Sequence, residues 1–260
     1  MNKILKCTLF LLILFVIASC YENLSSPGSV NSGNRAAAKE NPASDFTYDL
    51  TADGKGVVIK SYTGGPGTVV IPAKIENYPV VEIANDVFNG KTTTYNFSAA
   101  MSGNLWNAID SKENDKAGIT SITIPNTVTK IGTNAFANTA ITSIILPDSV
   151  VELTSDSLGN SNMFSGCNQL TEIKLSDNIE ILWNIKGWGK LPVLKKINLP
   201  KNLKAVMEYT FTDCTELVEI IIPETLKEIE FKNDTAFKGC GKLPLAVRQK
   251  LRDLGYKGEF

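Results

Sequence analysis

Three cysteines, Cys167, Cys214 and Cys240, stand in one setting, as Phe-Ser-Gly-Cys, Phe-Thr-Asp-Cys and Phe-Lys-Gly-Cys. A cysteine sulfur can ligate a metal, pair in a disulfide or act as a nucleophile. The spacing argues for packing instead, because the same place after the repeated aromatic holds Thr139 and Leu191. The chain has no histidine, the commonest general base and metal ligand, so neither a metal site nor a cofactor is expected. A disulfide between Cys214 and Cys240 stays open, since the two come from adjacent copies of one unit. There is no Gly-x-Ser-x-Gly elbow and no Gly-rich phosphate loop. Acidic pairs such as Asp213 with Glu216, or Glu219 with Glu228, could act as glycosidase carboxylates only across a deep groove, which a short repeat array rarely supplies. No catalytic residues are expected, and a hydrolase is the most distant reading.

The elements that carry these residues are copies of one phrase, typified by Leu217-Val-Glu-Ile-Ile-Ile-Pro-Glu-Thr-Leu-Lys-Glu-Ile229. First strands start at Ile119, Ile141, Leu170, Leu194 and Leu217, with apolar residues three and five places on, as in Ile122/Ile124 and Ile220/Ile222. Proline follows in four copies and Ser176 in the fifth. Two further anchors come next: Val128/Ile131, Val150/Leu153, Ile179/Leu182, Leu203/Val206 and Leu226/Ile229. Phe136, Phe164, Trp188, Phe211 and Phe237 close the units, and successive copies begin 22 to 29 residues apart. That is the length of one solenoid rung, and a single rung cannot bury its own anchors. The pattern predicts an α/β solenoid of about six rungs with stacked parallel strands over residues 67–243.

Ahead of the array, Lys3 and Lys6 precede an apolar run from Cys7 to Ser19 that is shorter than a membrane-spanning helix needs. Residues 1–19 read as a signal peptide. Ile17-Ala-Ser-Cys20 resembles the bacterial lipoprotein lipobox, which implies cleavage before Cys20, lipidation of its sulfur and export. An ordinary signal peptide with a coincidental cysteine is the plainer alternative. Residues 20–45, rich in Ser, Asn, Gly and Ala, read as a flexible tether. Loss of Lys3 and Lys6 would take the formal net charge from −1 to −3, and with no basic stripe a nucleic-acid partner is excluded.

Residues 46–66 alternate about Asp53-Gly54 and predict a β-hairpin that caps the first rung, Val69-Val-Ile71 with Val80-Val-Glu-Ile83 and Phe88. Residues 244–260 predict a helical cap, with Pro244 at its start, Val247, Leu251 and Leu254 on one face, and Gly255 past its end. A membrane-surface or partner helix is the livelier reading of that stripe. Between first and second rungs, an insertion at 91–117 breaks the period.

The order Leu-x-x-Ile-x-Leu-Pro, Val-x-x-Ile, Ala-Phe or Phe-x-Gly-Cys, as in Ile119 to Phe136, resembles the BspA-like class of leucine-rich repeats. So does Tyr62-Thr-Gly-Gly-Pro-Gly ahead of Val-Val-Ile-Pro72, and the likeness covers residues 46–260. It implies a lipid-anchored protein on the outer surface of a bacterial cell that adheres to host matrix proteins or to other cells. A periplasm-facing or structural lipoprotein that binds a glycan or a partner subunit is the alternative.

Two sets of residues are candidates for partner binding. The first is the outward face of the first strands, where Ile145, Lys174, Lys196, Asn198 and Ile221 stand out, against the reading of a merely solvated sheet. The second is the set of aromatics in the insertion, Tyr95, Phe97 and Trp106, which could anchor an interface or simply pin their loop to the rung beneath. Trp188 falls in the repeat aromatic slot and reads as core, whereas Trp183, one past an anchor, can face either way.

Overall fold

An apolar-polar-apolar segment that runs into proline can bury one face of a short strand but cannot prolong it. The computed structural model, which describes residues 38–95, 101, 109–186 and 191–260, has such a strand in each copy. In chain order, β1 (Phe46–Leu50) and β2 (Val57–Tyr62) form an antiparallel hairpin. The first rung follows as β3 (Gly67–Val70), β4 (Lys74–Ile75) and β5 (Tyr78–Ile83). Its extra residues fold β4 back on β5 through Glu76 and Asn77, both left-handed at φ 50° and 70°, the pairing that a two-residue hairpin turn requires. The insertion sends out an antiparallel pair, β6 (Lys91–Tyr95) and β7 (Ile109–Glu113).

Five rungs then repeat a two-strand plan: β8 (Ile119–Thr123) and β9 (Lys130–Ile131), β10 (Ser143–Ile145) and β11 (Glu152–Leu153), β12 (Glu172–Lys174) and β13 (Ile181–Leu182). The last two are β14 (Lys196–Asn198) with β15 (Ala205–Val206), and β16 (Glu219–Ile221) with β17 (Glu230–Phe231). Helix α1 (Leu245–Asp253) ends the array. Rungs stack in sequence order with parallel pairing, as an α/β solenoid.

The pairing is interrupted twice. First strands join as β3-β8 and as β10-β12-β14-β16, so β8 and β10 are neighbours without pairing. Second strands join as β2-β5-β9-β11 and as β13-β15-β17, with the break where residues 155–163 lengthen the rung. A third column runs across both breaks: the N–H of Phe88, Phe136, Phe164 and Phe211 donates to the carbonyl of Ala135, Met163, Ile185 and Ala236 in the next rung.

The first-strand and second-strand anchors are buried, except that Ile222 of the last rung is only partly so. The closing aromatics stack along the stack axis, Phe88 on Phe136 and Phe136 on Phe164 at 5.9 Å between ring centres, and Phe211 on Phe237 at 5.1 Å. Phe46 and Tyr62 of the hairpin extend this spine, with Tyr62 at 5.4 Å from Phe88, which is how the hairpin caps the first rung. At the other end Leu251, Leu254 and Tyr256 are buried against the last rung, so the apolar stripe of α1 faces the core. Trp188 lies outside the described residues, as do Cys20 and the stretch read as a signal peptide.

Three details depart from the sequence pattern. In the last rung Val206 pairs with Phe231 rather than with Ile229; the strand slips two residues because the Ile229 N–H is taken by Leu254 O of the cap. Residues at the end of the expected tether are fastened to the first rung: Asn41 N–H donates to Val70 O and its Oδ1 accepts from Val70 N–H, which covers the outer edge of β3. Three aromatics are flanked by left-handed residues two places away on either side, Asn134 and Asn138 around Phe136, Asn162 and Gly166 around Phe164, and Tyr209 and Asp213 around Phe211, while Phe88 has Asp86 before it and Phe237 has Gly239 after it. This is what the Gly of Phe-x-Gly-Cys is for: at Gly166 and Gly239, φ is 75° and 83°.

Cys167, Cys214 and Cys240 are free, buried thiols, and no disulfide joins Cys214 to Cys240. Cys167 and Cys240 each donate to the carbonyl of the preceding rung's aromatic, Phe136 O and Phe211 O, at 3.1 Å. Thr139 in the same slot donates to Phe136 O at 2.8 Å. The slot therefore takes a buried side chain, which at Thr139, Cys167 and Cys240 also donates to a backbone carbonyl.

Candidate functional site

Because β10, β12, β14 and β16 are three residues long and paired in register, their outward side chains form two rows. The first row is Ser143, Glu172, Lys196 and Glu219. Lys196 Nζ lies 3.6 Å from Glu172 and 3.5 Å from Glu219, so one ammonium separates two carboxylates that would otherwise repel along the stack. The opposite sheet uses the same device, with Lys130 3.8 Å from Glu82 and 3.6 Å from Glu152.

The second row is Ile145, Lys174, Asn198 and Ile221. Ile145 is 61% exposed and Ile221 48%, so neither is covered by a loop. Lys174 is exposed and has no ion-pair partner among the described residues. Asn198 holds the sheet together, since its Oδ1 accepts from Leu175 N–H at 2.6 Å and its Nδ2 donates to Leu175 O at 3.1 Å. Elsewhere in the sheet the corresponding N–H bonds a main-chain carbonyl, as Leu146 N–H does with Lys174 O. Five of the residues picked out from the sequence thus share one surface.

Two open grooves cross it. One, of about 640 Å³, lies at the break between β8 and β10, walled by Ser121, Thr123, Ser143, Ile145 and Lys174. The other, of about 330 Å³, is bounded by Lys174, Lys196, Asn198, Ile221 and Pro223. Of the insertion aromatics, Tyr95 ends β6 with its backbone opposite Ile109, while Phe97 and Trp106 lie outside the described residues. Among the described residues no cluster of three metal-ligating side chains occurs, and no helix is long and apolar enough to cross a membrane.

Sequence reasoning passed over another surface, around Trp183 and Tyr209, where Val151, Leu158 and Ile181 are also exposed. The signal was present in the left-handed slot two residues before the aromatic, which holds Asp86, Asn134 and Asn162 and then Tyr209.

Short stacked parallel strands, proline stops and an aromatic spine define a leucine-rich-repeat solenoid with an open, solvent-facing sheet. The chain belongs to the BspA-type leucine-rich-repeat family: its profile, described as the BspA type leucine-rich repeat region, matches in six copies over residues 81–184, 107–240 and 188–255. The chain is similar to the crystal structure of the T. pallidum leucine-rich repeat protein, with a TM-score of 0.59 and 26% identity over 85% of this chain and 99% of that one. A leucine-rich repeat protein from Bacteroides ovatus aligns at a TM-score of 0.39 and 20% identity, over 76% of this chain and 56% of that one. A comparison with curated proteins finds no match.

Proposed function

We propose that this chain is an exported, lipid-anchored repeat protein that adheres to proteins of the host matrix or of other cells through its first-strand sheet. The observation that carries the reading is the row in which exposed Ile145 and Ile221 bracket Lys174, which no ion pair among the described residues engages. Exposed β-branched residues on a regular sheet suit a docking surface, and the charged first row sets the register of whatever lies across it. Membership of a family of repeat scaffolds supports binding over catalysis. Cys20 supplies the lipid attachment and the following residues hold the array off the membrane; Tyr95, Phe97 and Trp106 contribute a further contact from the insertion.

The test is capture of matrix proteins and of neighbouring cells by purified residues 21–260, alongside Ile145→Asp and Ile221→Asp. Both substitutions should weaken capture at least tenfold with the melting temperature unchanged. Failure to capture any matrix protein or cell overturns the adhesion reading. Protease treatment of intact cells tests the address: a periplasm-facing protein would survive it.

A further inference from the structure

The interruption between β11 and β13 exposes a surface that the adhesion face does not use. Outward places on the second strands are Glu82, Lys130 and Glu152 before the break, then exposed Ile181 after it, with Ala205 buried beside it. Two residues further along, the chain carries Ala84, Gly132 and Thr154 and then Trp183. The indole is half-buried against the core and packs over Gly159 of the extra loop, where an added Cβ would stand 3.7 Å from its ring. Trp183 borders two open grooves, of about 790 Å³ and 530 Å³, a size that suits a ligand of several rings.

Tyr209, in the wall of the second groove, is 44% exposed at φ 58°. Its counterparts Asp86, Asn134 and Asn162 are residue types that tolerate this conformation, whereas a bulky aromatic does not. A strained backbone that displays a ring to solvent has no packing purpose, and such strain collects at binding sites.

The chemistry of the walls narrows the ligand. In the larger groove Glu180 is 2.7 Å from Lys204, and Glu152 is 3.6 Å from Lys130, so its charges are balanced within the protein. Asn202 spends its Nδ2 on Asn178 Oδ1 and keeps its own oxygen as an acceptor. The Thr154 hydroxyl, in the same wall, has no hydrogen-bond partner among the described residues. Aromatic planes, neutral amides and compensated carboxylates suit an uncharged ligand with an apolar ring face and many hydroxyls. An extended peptide is a poor match, because β11 and β13 offer only two residues each for main-chain pairing.

We infer that this cleft binds a neutral polysaccharide strand, with Trp183 and Tyr209 as stacking platforms and Asn202 as a hydroxyl acceptor. The site is independent of the proposed adhesion face. The test is native electrophoresis of the purified full chain in detergent through gels that contain xylan, galactomannan or mixed-linkage β-glucan, with polygalacturonate as the charged control. At least one neutral polymer should retard the protein, and Trp183→Ala and Tyr209→Asn should each weaken retardation tenfold or more. Ile221→Asp should leave it unchanged, which separates this site from the adhesion face. Tyr209→Asn separates lost binding from lost folding, since asparagine already occupies the slot at Asn134 and Asn162. No retardation by any neutral polymer, retardation indifferent to both substitutions, or preference for polygalacturonate would overturn the assignment. So would loss of matrix-protein capture in Trp183→Ala with polysaccharide binding intact, which would make the cleft a protein-docking surface.

Discussion

At Tyr209 the backbone conformation and the residue type disagree, and that disagreement can be measured. Left-handed backbone costs an ordinary residue about 1–2 kcal/mol, and asparagine recovers part of it through local hydrogen bonding. Tyr209→Asn should therefore raise the unfolding free energy by about 0.5–1 kcal/mol, read by urea denaturation. A loss of stability instead would mean that the phenol ring packs better than its exposure suggests. The buried thiols give a second residue-level prediction. Burial pushes Cys240 up to about 12 and Cys214 higher still, and the Asp213 carboxylate adds to the shift of both. Thiolate is the reactive form, so neither thiol should react with an aromatic disulfide reagent at pH 8 until denaturant is added; prompt labelling of the native protein would contradict this. Alternation along the first strands was enough to place Ile145, Lys174 and Ile221 outward, because a period of two fixes the face. Tyr209 escaped because its information lies in φ, and apolar anchors say nothing about which residues must be left-handed.

Between residue and rung, the loop under Trp183 is held by one carboxylate. Asp156 Oδ1 accepts from the N–H groups of Leu158 and Asn160, both at 2.9 Å, and the Asn160 carboxamide reaches the same group. The slight desolvation of exposed Asp156 works against its ionisation, and these donors outweigh it and hold the carboxyl below its ordinary range. A depressed folded value stabilises in full above the unfolded value of about 3.9 and is lost as pH falls through the folded one. The loop should thus be indifferent to pH from 7 to 5 and loosen only below about pH 4. Trp183 fluorescence in a Trp106→Phe, Trp188→Phe background reports it, and Asp156→Ala should show the loosened signal at neutral pH; a titration centred near pH 6 would be inconsistent. Rung boundaries were legible because proline and the aromatic recur. The slip that puts Phe231 in place of Ile229 was not, since it arises from a bond between the last rung and a cap distant in sequence. Nor were the two pairing breaks, which depend on how neighbouring rungs meet.

Those breaks decide how the whole stack holds together. They fall on opposite sides of a single rung: β10 pairs forward with β12, and β11 pairs back with β9. That rung is the shared member of two hydrogen-bonded halves, one from the hairpin to β11 and the other from β10 to the cap. Across the seam the links include the shared core, the column of N–H groups from Phe136 and Phe164 with those of their neighbours Asn134, Asn138 and Asn162, the Asn160–Asn184 bridge and the Ser176 hydroxyl bond to Val150 O. In a nearest-neighbour stack, weakening a terminal rung frays one end, whereas weakening the shared member uncouples both sides. Ile144 is buried in β10, and Ile220 holds the corresponding place in β16. Truncation of either to alanine should cost about 2–5 kcal/mol. In Ile220→Ala, amide hydrogen exchange should speed up in β14–β17 and α1 with β5 and β9 still protected. In Ile144→Ala, the segments β2–β9 and β12–β17 should exchange as two units with different opening free energies. Uniform acceleration through all rungs in Ile144→Ala would show that the aromatic spine, rather than strand pairing, couples the two halves.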